Sequence, residues 1–284
     1  MKKTYSEIKM LSKKDYRAEA VLDYFNKRLR IDDYRGKTDS LLKDASKLAS
    51  DNRFTKVIVK GKACDITNLL KEQFQLEAII KNYFHGEDAY FFTKYLSEAR
   101  RKTDSWTKQD SIITSIYEKK KTVHLQSGEF GFRAADELDA KKLSELYRAV
   151  FEVYPTPLHS SDYIQKTMRE GTIYYLAEKG NTIVSAASAE INAVYNNAEI
   201  TDCATLPEVR KHKLMRSLIL LLEQKLCDQG VFCAYSIARA ESFGMNAVLH
   251  QLDYEYTGRL TNNCVISTDL ENMNVWCKDL SAGN

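Results

Sequence analysis

Little net charge, no long apolar run and no cysteine pairing pattern mark this sequence of 284 residues. The formal net charge is +3. A nucleic-acid binder concentrates Lys and Arg on one face, and so small an excess argues against that class. A small anionic cofactor needs only a local positive site. The longest strongly apolar run, 218–222, falls far short of the ~20 residues that cross a bilayer, so no membrane partner is expected. The six cysteines (64, 203, 227, 233, 264 and 277) form no CxxC pair and no Cys/His zinc spacing. No metal is expected, and the thiols read as reduced residues of a cytoplasmic protein. Met1-Lys2-Lys3 runs into polar residues without the apolar stretch of a signal peptide, which gives the same expectation.

What is present is enough for a core: 44% hydrophobic residues, with 17 Tyr and 11 Phe. At roughly 100–200 residues per domain, the length suits two domains. In the first half, Tyr16, Ala20, Tyr24 and Phe25 predict a helix over 15–29. Leu41, Leu42, Ala45, Leu48 and Ala49 predict another over 38–51. A strand at 56–59, a short helix at 67–74 and a strand at 77–84 follow, then an aromatic-rich element of either type at 89–96. The charged stretch 97–121 reads as a partly helical connection. The expected domains are therefore an N-terminal α/β domain, 1–125, and a second domain, 126–284.

The second half has a clearer rhythm. A strand at 129–133 precedes a helix capped by Asp136 and running to about 153, with Leu138, Leu143, Leu146, Tyr147, Val150 and Phe151 on its apolar face. Pro155 and Pro157 end it, and Ser160 caps a second helix to 169. Strands at 172–178, 182–191 and 198–205 are joined by turn residues and are expected to be antiparallel. An amphipathic helix at 214–229 buries Leu214, Leu218, Leu221, Leu222 and Leu226. A strand at 231–238, a helix at 242–252 and a last strand at 254–267 complete the pattern. The predicted fold class is α/β (α+β): a mixed, mostly antiparallel sheet flanked by helices. Residues 40–84 and 217–266 share one order of elements. The first domain thus reads either as a degenerate half-copy of the second or as a chance recurrence.

The chemistry concentrates in 200–215, Ile-Thr-Asp-Cys-Ala-Thr-Leu-Pro-Glu-Val-Arg-Lys-His-Lys-Leu-Met: a strand, a basic loop and a helix start. Helix N-termini carry unpaired N–H groups and partial positive charge, so such a loop can hold a pyrophosphate. Arg210, Lys211, His212, Lys213 and Arg216 add positive charge. A strand ending in Leu-Pro-Glu, then Arg-x-x, a Leu-rich helix, a strand and a helix with an early Asn resembles the GNAT N-acetyltransferase superfamily over about 129–268. That loop reads Arg/Gln-x-x-Gly-x-Gly/Ala. Arg210 takes its first place, while Lys213 and Met215 stand where small residues are usual. The strings 238–246 (Ala-Arg-Ala-Glu-Ser-Phe-Gly-Met-Asn) and 252–263 (Leu-Asp-Tyr-Glu-Tyr-Thr-Gly-Arg-Leu-Thr-Asn-Asn), together with 271–276 and 82–95, resemble one subfamily, the β-lysine N6-acetyltransferases. There the loop reads Arg-Gly-Lys-Gly-Leu-Met, so Arg210, Leu214 and Met215 fit and Lys211 and Lys213 depart.

The resemblance implies acetyl-CoA as donor, no metal, and direct transfer to a small-molecule amine. It also implies β-lysine as acceptor, lysine 2,3-aminomutase as functional partner and a compatible solute as product; a homodimer stays open. Cofactor contacts are expected from Cys203, Ala204 and Thr205 on the strand, where main-chain N–H groups can stabilise an oxyanion. Further contacts are expected from Arg210, Lys211, His212, Lys213, Leu214, Met215 and Arg216 in the loop, and from Asn246. An amine with a pKa near ~10.4 is mostly protonated at neutral pH, so the site must accept a proton. Asp202, Glu199 and Glu190 are the candidates. In a regular strand Glu199 and Asp202 face opposite ways, and a bulge would change that. Many GNAT enzymes use a Tyr where this chain has Leu249. Arg239, Glu241, Arg259, Asn262 and Asn263 are candidate contacts for the acceptor's carboxylate and amines. Two other readings remain: a GNAT acting on another small diamine, polyamine or amino acid, and a non-catalytic binding module. If Arg210 faces the diphosphate, Arg210→Ala raises the acetyl-CoA dissociation constant in calorimetric titration, and an unchanged constant rejects this placement.

Overall fold

A computed structural model of the chain describes residues 5–121, 129–266 and 269–281. The expected domain boundary at 125/126 and the expected strand end at Ser267 lie outside the described residues. The first sheet contains β1 (Ser6–Ser12), β2 (Tyr16–Asp23), β3 (Arg28–Gly36), β4 (Lys56–Gly61), β5 (Gln75–Phe84) and β6 (Glu87–Tyr95), in the order β1-β2-β3-β4-β6-β5. Helix α1 (Thr38–Asp51) joins β3 to β4, and α2 (Ile66–Lys71) joins β4 to β5. Helices α3 (Glu98–Arg101) and α4 (Trp106–Tyr117) lead to the second unit. Its strands are β7 (Gly131–Ala134), β8 (Ile173–Lys179), β9 (Thr182–Asn192), β10 (Asn197–Thr205), β11 (Cys233–Arg239), β12 (Glu255–Ile266) and β13 (Asp269–Asp279). They are ordered β12-β13-β11-β10-β9-β8-β7. Helices α5 (Ala140–Val150) and α6 (Ser161–Arg169) lie between β7 and β8, α7 (Leu214–Asp228) between β10 and β11, and α8 (Phe243–Gln251) between β11 and β12.

Both sheets trace one path. Three antiparallel strands, β1–β3 in the first and β8–β10 in the second (where β7 adds a fourth at the edge), precede a helical crossover to a parallel strand. A second helix and a hairpin follow, and the hairpin's last strand inserts beside the parallel one. In each unit the crossover helix covers one face. Leu41, Leu42, Ala45 and Ala49 of α1 pack on Leu29, Ile31, Val57 and Val59. Leu214, Leu218, Leu222 and Leu226 of α7 pack on Ala198, Ile200 and Ala234. The uncovered faces meet each other: Ile58, Ile80, Tyr83 and Phe91 pack on Tyr235, Leu260, Met273 and Val275.

Three expectations change. The helix expected over 15–29 is the β2–β3 hairpin. Tyr16, Ala18, Ala20 and Leu22 are buried at a spacing of two, whereas Tyr24, counted on the helical face, is exposed. Leu138 is also exposed, because a 3-10 turn at Glu137–Asp139 precedes α5; Asp136 caps that turn, with Asp139 reciprocating. Strand β13, which was not expected, separates β12 from β11.

A buried polar knot ties the sheets together. Lys56 is fully buried, lies 2.9 Å from Glu77 and donates to the Thr261 carbonyl at 2.8 Å. Glu77 accepts from Thr93, Tyr95 and the Thr261 amide. Burial alone would raise its carboxyl; the Lys56 ammonium and the two hydroxyls hold it below the ordinary value. Gly258 makes the close approach possible, since a Cβ there would stand 2.1 Å from the Glu77 carbonyl oxygen. Removing one partner of a buried pair strands the other. Glu77→Ala is therefore expected to cost about 3–5 kcal/mol in urea unfolding, and Lys56→Met with Glu77→Leu to cost clearly less than that single change.

Candidate functional site

Strands β10 and β11 are parallel only at Asn197↔Cys233, Ala198↔Ala234 and Glu199↔Tyr235. Beyond Glu199 the two diverge into a V, closed at its apex where Ser236 Oγ donates to the Ile200 carbonyl at 2.8 Å. No strand among the described residues pairs with this edge of β10 beyond the apex, so its main-chain groups are available to a ligand. Cys203, Ala204 and Thr205 follow along the same strand. Cys203 Sγ approaches the Thr201 carbonyl at 3.5 Å, and burial raises its thiol above the ordinary value, which works against a thiolate nucleophile.

A bulge reorganises β10. Its pairing with β9 skips between Thr201 and Ala204, and Asp202 takes a left-handed backbone with φ 51°. The extra residue brings Glu199 and Asp202 onto the same cavity, where Glu190, the cross-strand partner of Glu199, joins them. The cavity holds about 660 Å³ between the two sheets. Asp202 accepts from Ser188 Oγ at 3.0 Å and from Tyr154. Burial raises its carboxyl, those two hydrogen bonds oppose the rise, and the charge of Glu199 adds to it. Glu190 opens onto the cavity; the enclosing protein raises its carboxyl, and the charges of Asp202 and Glu199 raise it further. Burial raises Glu199 as well, against the pull of Lys60 and Arg30. Three carboxyls that resist ionising together make a site that gains from a cation.

The opposite wall comes from the first unit. Arg30, Asp32 and Lys60 line the same cavity, with Tyr83 beside them. These residues had not been singled out in the sequence. The available signal was charge at alternate positions of two strands with apolar residues between, Arg30 and Asp32 on either side of Ile31, and Lys60 after Val59.

The basic loop forms a 3-10 turn at Pro207–His212 that leads into α7. Arg210 and Lys211 are exposed; Arg210 Nε donates to the Thr205 carbonyl at 3.3 Å, and His212 packs on Phe130. Lys213 is the N-cap of α7, with φ 57° and ψ 28° and no side-chain cap, and Leu214, Met215 and Arg216 form the first turn. A left-handed backbone at this place is the geometry a glycine would take.

The remaining expected residues lie elsewhere. Asn246 is fully buried. Its amide nitrogen donates to the Arg239 and Ser242 carbonyls, and its oxygen accepts from Asn274 and Trp276, which uses all four of its bonds. Arg239 pairs with Glu271, and Glu241 with Lys108 and Gln109. Arg259 bonds Asn274 and Asp110 and lies over Trp106. Asn262 donates to the Arg100 and Lys102 carbonyls, and the Asn263 carbonyl accepts from Arg28 and Arg100. Of these five candidate acceptor contacts only Asn263 lines the cavity. Leu249, at the usual place of the catalytic Tyr, is buried in the α7–α8 core. Lys213→Gly removes an L-residue from a left-handed backbone and supplies a favoured N-cap; thermal unfolding is expected to show a gain of about 1 kcal/mol.

Comparison with known proteins fits this geometry. The Acetyltransferase (GNAT) family matches residues 140–248. The N-acetyltransferase YodP of Bacillus subtilis is 45% identical over 264 residues, 92% of this chain and 96% of that one. A Beta-lysine N(6)-acetyltransferase of Methanosarcina mazei is 37% identical over 227 residues, 72% of this chain and 83% of that one. Another of the same name, from Methanococcus maripaludis, is 31% identical over 239 residues, 84% of this chain and 87% of that one. The solved ribosomal-protein-S18-alanine N-acetyltransferase from Escherichia coli aligns with a TM-score of 0.48 at 14% identity, over 55% of this chain and 96% of that one. With a relative 45% identical along nearly its full length and its second unit matching the family itself, the chain belongs to the GNAT acetyltransferases, N-acetyltransferases that take their acetyl group from acetyl-CoA.

Proposed function

We propose that the chain transfers the acetyl group to the N6 amine of β-lysine. The observation that carries this is the convergence of Glu190, Glu199 and Asp202 on one cavity beside the V between β10 and β11. A diamino acid brings two ammonium groups, and three crowded carboxyls are a match for them. The two relatives named for β-lysine support the same choice. In the cytoplasm a lysine 2,3-aminomutase would supply the acceptor.

The acetyl-CoA thioester lies in the V, with its diphosphate at the Arg210–Met215 turn. Asp202, next to the V, accepts a proton from the acceptor's ammonium and leaves a neutral amine. The amine lone pair forms a C–N bond at the thioester carbon, the oxyanion is held by main-chain N–H groups near Cys203–Thr205, and the C–S bond breaks. The nitrogen of the adduct loses its second proton and the departing thiolate takes one up, both by way of solvent, because Leu249 has no proton to exchange; Asp202 then returns its own proton to solvent, with one proton released overall. Glu190 and Glu199 hold the acceptor's cationic groups. Lys213 already has a glycine-like backbone, which supports a working loop over a non-catalytic module.

An acetylation assay on β-lysine, α-lysine and spermidine tests this reading. β-Lysine is expected to lead both others by at least roughly tenfold in kcat/KM, the scale on which one misplaced charged contact acts. Because the base must be ionised and its pKa is raised, kcat/KM is expected to rise with pH above the usual carboxylate range. Asp202→Asn is expected to lose that rise along with roughly 10²–10⁴ in kcat. Turnover of spermidine or α-lysine but not β-lysine would reject the acceptor.

A further inference from the structure

The cavity has a second wall that the transfer chemistry does not use. Residues Arg30 and Asp32 of β3 and Ile58 and Lys60 of β4 point away from α1 and toward the second sheet. Apolar neighbours, among them Phe91, Leu260 and Met273, fill much of that face, as stacked sheets require. Charge on such a face is costly unless something answers it. Asp32 answers part of it: Arg30 Nη2 donates to it at 2.9 Å, and Lys60 Nζ stands 3.3 Å away. Lys60 also donates to the Tyr83 hydroxyl at 2.9 Å. One carboxylate between two cations leaves a surplus of positive charge and of donors, and Arg30 Nε is buried with no hydrogen-bond partner among the described residues. Across the cavity stand Glu190 and Glu199, each within electrostatic reach of both cations. The cavity is therefore polarised, with anionic groups beside the V and cationic groups on the first unit.

We propose that Arg30 and Lys60 bind the carboxylate of the acceptor, so that the first unit selects amino acids over polyamines. The assignment rests on the β-lysine reading above and deepens it. An acceptor with ammonium groups at the β9–β10 wall and a carboxylate toward β3 and β4 meets opposite charge at each of its own three charged groups. A polyamine of the same length presents an ammonium to Arg30. Asp32 is a positioning residue that fixes the guanidinium and leaves its remaining edge free for a bidentate contact.

The test compares kcat/KM for β-lysine with that for pentane-1,4-diamine, the same molecule without its carboxylate. The wild-type chain is expected to prefer β-lysine about 100-fold, the scale of a charged hydrogen-bonded contact. Arg30→Ala and, independently, Lys60→Gln are expected to bring the ratio close to one, mainly through a higher KM for β-lysine, with Arg30→Lys restoring part of it. A structural role would lower both substrates together and keep the ratio. An unchanged ratio in both variants, or a wild-type ratio near one, overturns the carboxylate clamp and leaves the acetyltransferase reading standing. A wild-type chain inactive on β-lysine overturns the acceptor assignment, and the clamp with it.

Discussion

Asp202 sits in mid-strand with a backbone that strands do not normally adopt, between Thr201, still paired with Ser188, and Ala204, paired with Ala186. Without that inserted residue the alternation of side chains would send Glu199 and Asp202 to opposite faces of the sheet. With it, both reach the cavity, and the strand turns from β11 just where the V opens. The strain of a left-handed Asp is offset locally, because Ser188 and Tyr154 both bond its carboxyl. The third carboxyl of the cluster follows from this one irregularity.

The second constraint is that two sheets must meet on uncovered faces. Apolar residues fill most of that contact, but a band of buried polar groups crosses it: Lys56 with Glu77, Arg28 with Asp23, and Arg100 on the Asn263 carbonyl. Each of these contacts joins charged or polar groups across or beside the seam, and together they hold the units in one register. Arg30 and Lys60 lie on the same face with their donors only partly used. Lys56 and Arg100 bond groups across the seam, whereas Arg30 and Lys60 bond only residues of their own unit and line the open cavity.

Much of the second unit was legible in the sequence, because its helices carry strong apolar faces and its strands are bounded by turn residues. The first unit was less so. Tyr16, Ala20 and Tyr24 fit a helical spacing, while Tyr16, Ala18, Ala20 and Leu22 fit a strand equally well; only packing on α1 decides between them. Strand β13 is buried along most of its length, so it lacks the alternation that marks a half-exposed strand. At the site, Glu190, Glu199 and Asp202 could be found by their place on adjacent strands, but their common direction depended on the bulge. Arg259 and Asn262 looked like ligand contacts because a buried polar string reads alike whether it meets a substrate or another sheet. Arg30 and Lys60 could not be tied to the site at all, since more than a hundred residues separate them from β10.

The shared path of the two units gives this arrangement a simple logic. In the second unit the parallel strands part after Glu199, and a loop intervenes before α7. In the first, β3 runs to Gly36 and α1 starts at Thr38 with no such loop. The corresponding opening is stitched by Asp65, whose carboxyl accepts from Tyr34 at 2.6 Å and from Thr38. What the first unit keeps is the inner face of its parallel pair, and on that face it carries Arg30 and Lys60. On the reading proposed above, the second unit would bind the donor and the first would read the acceptor, with the amine held between their two inner faces.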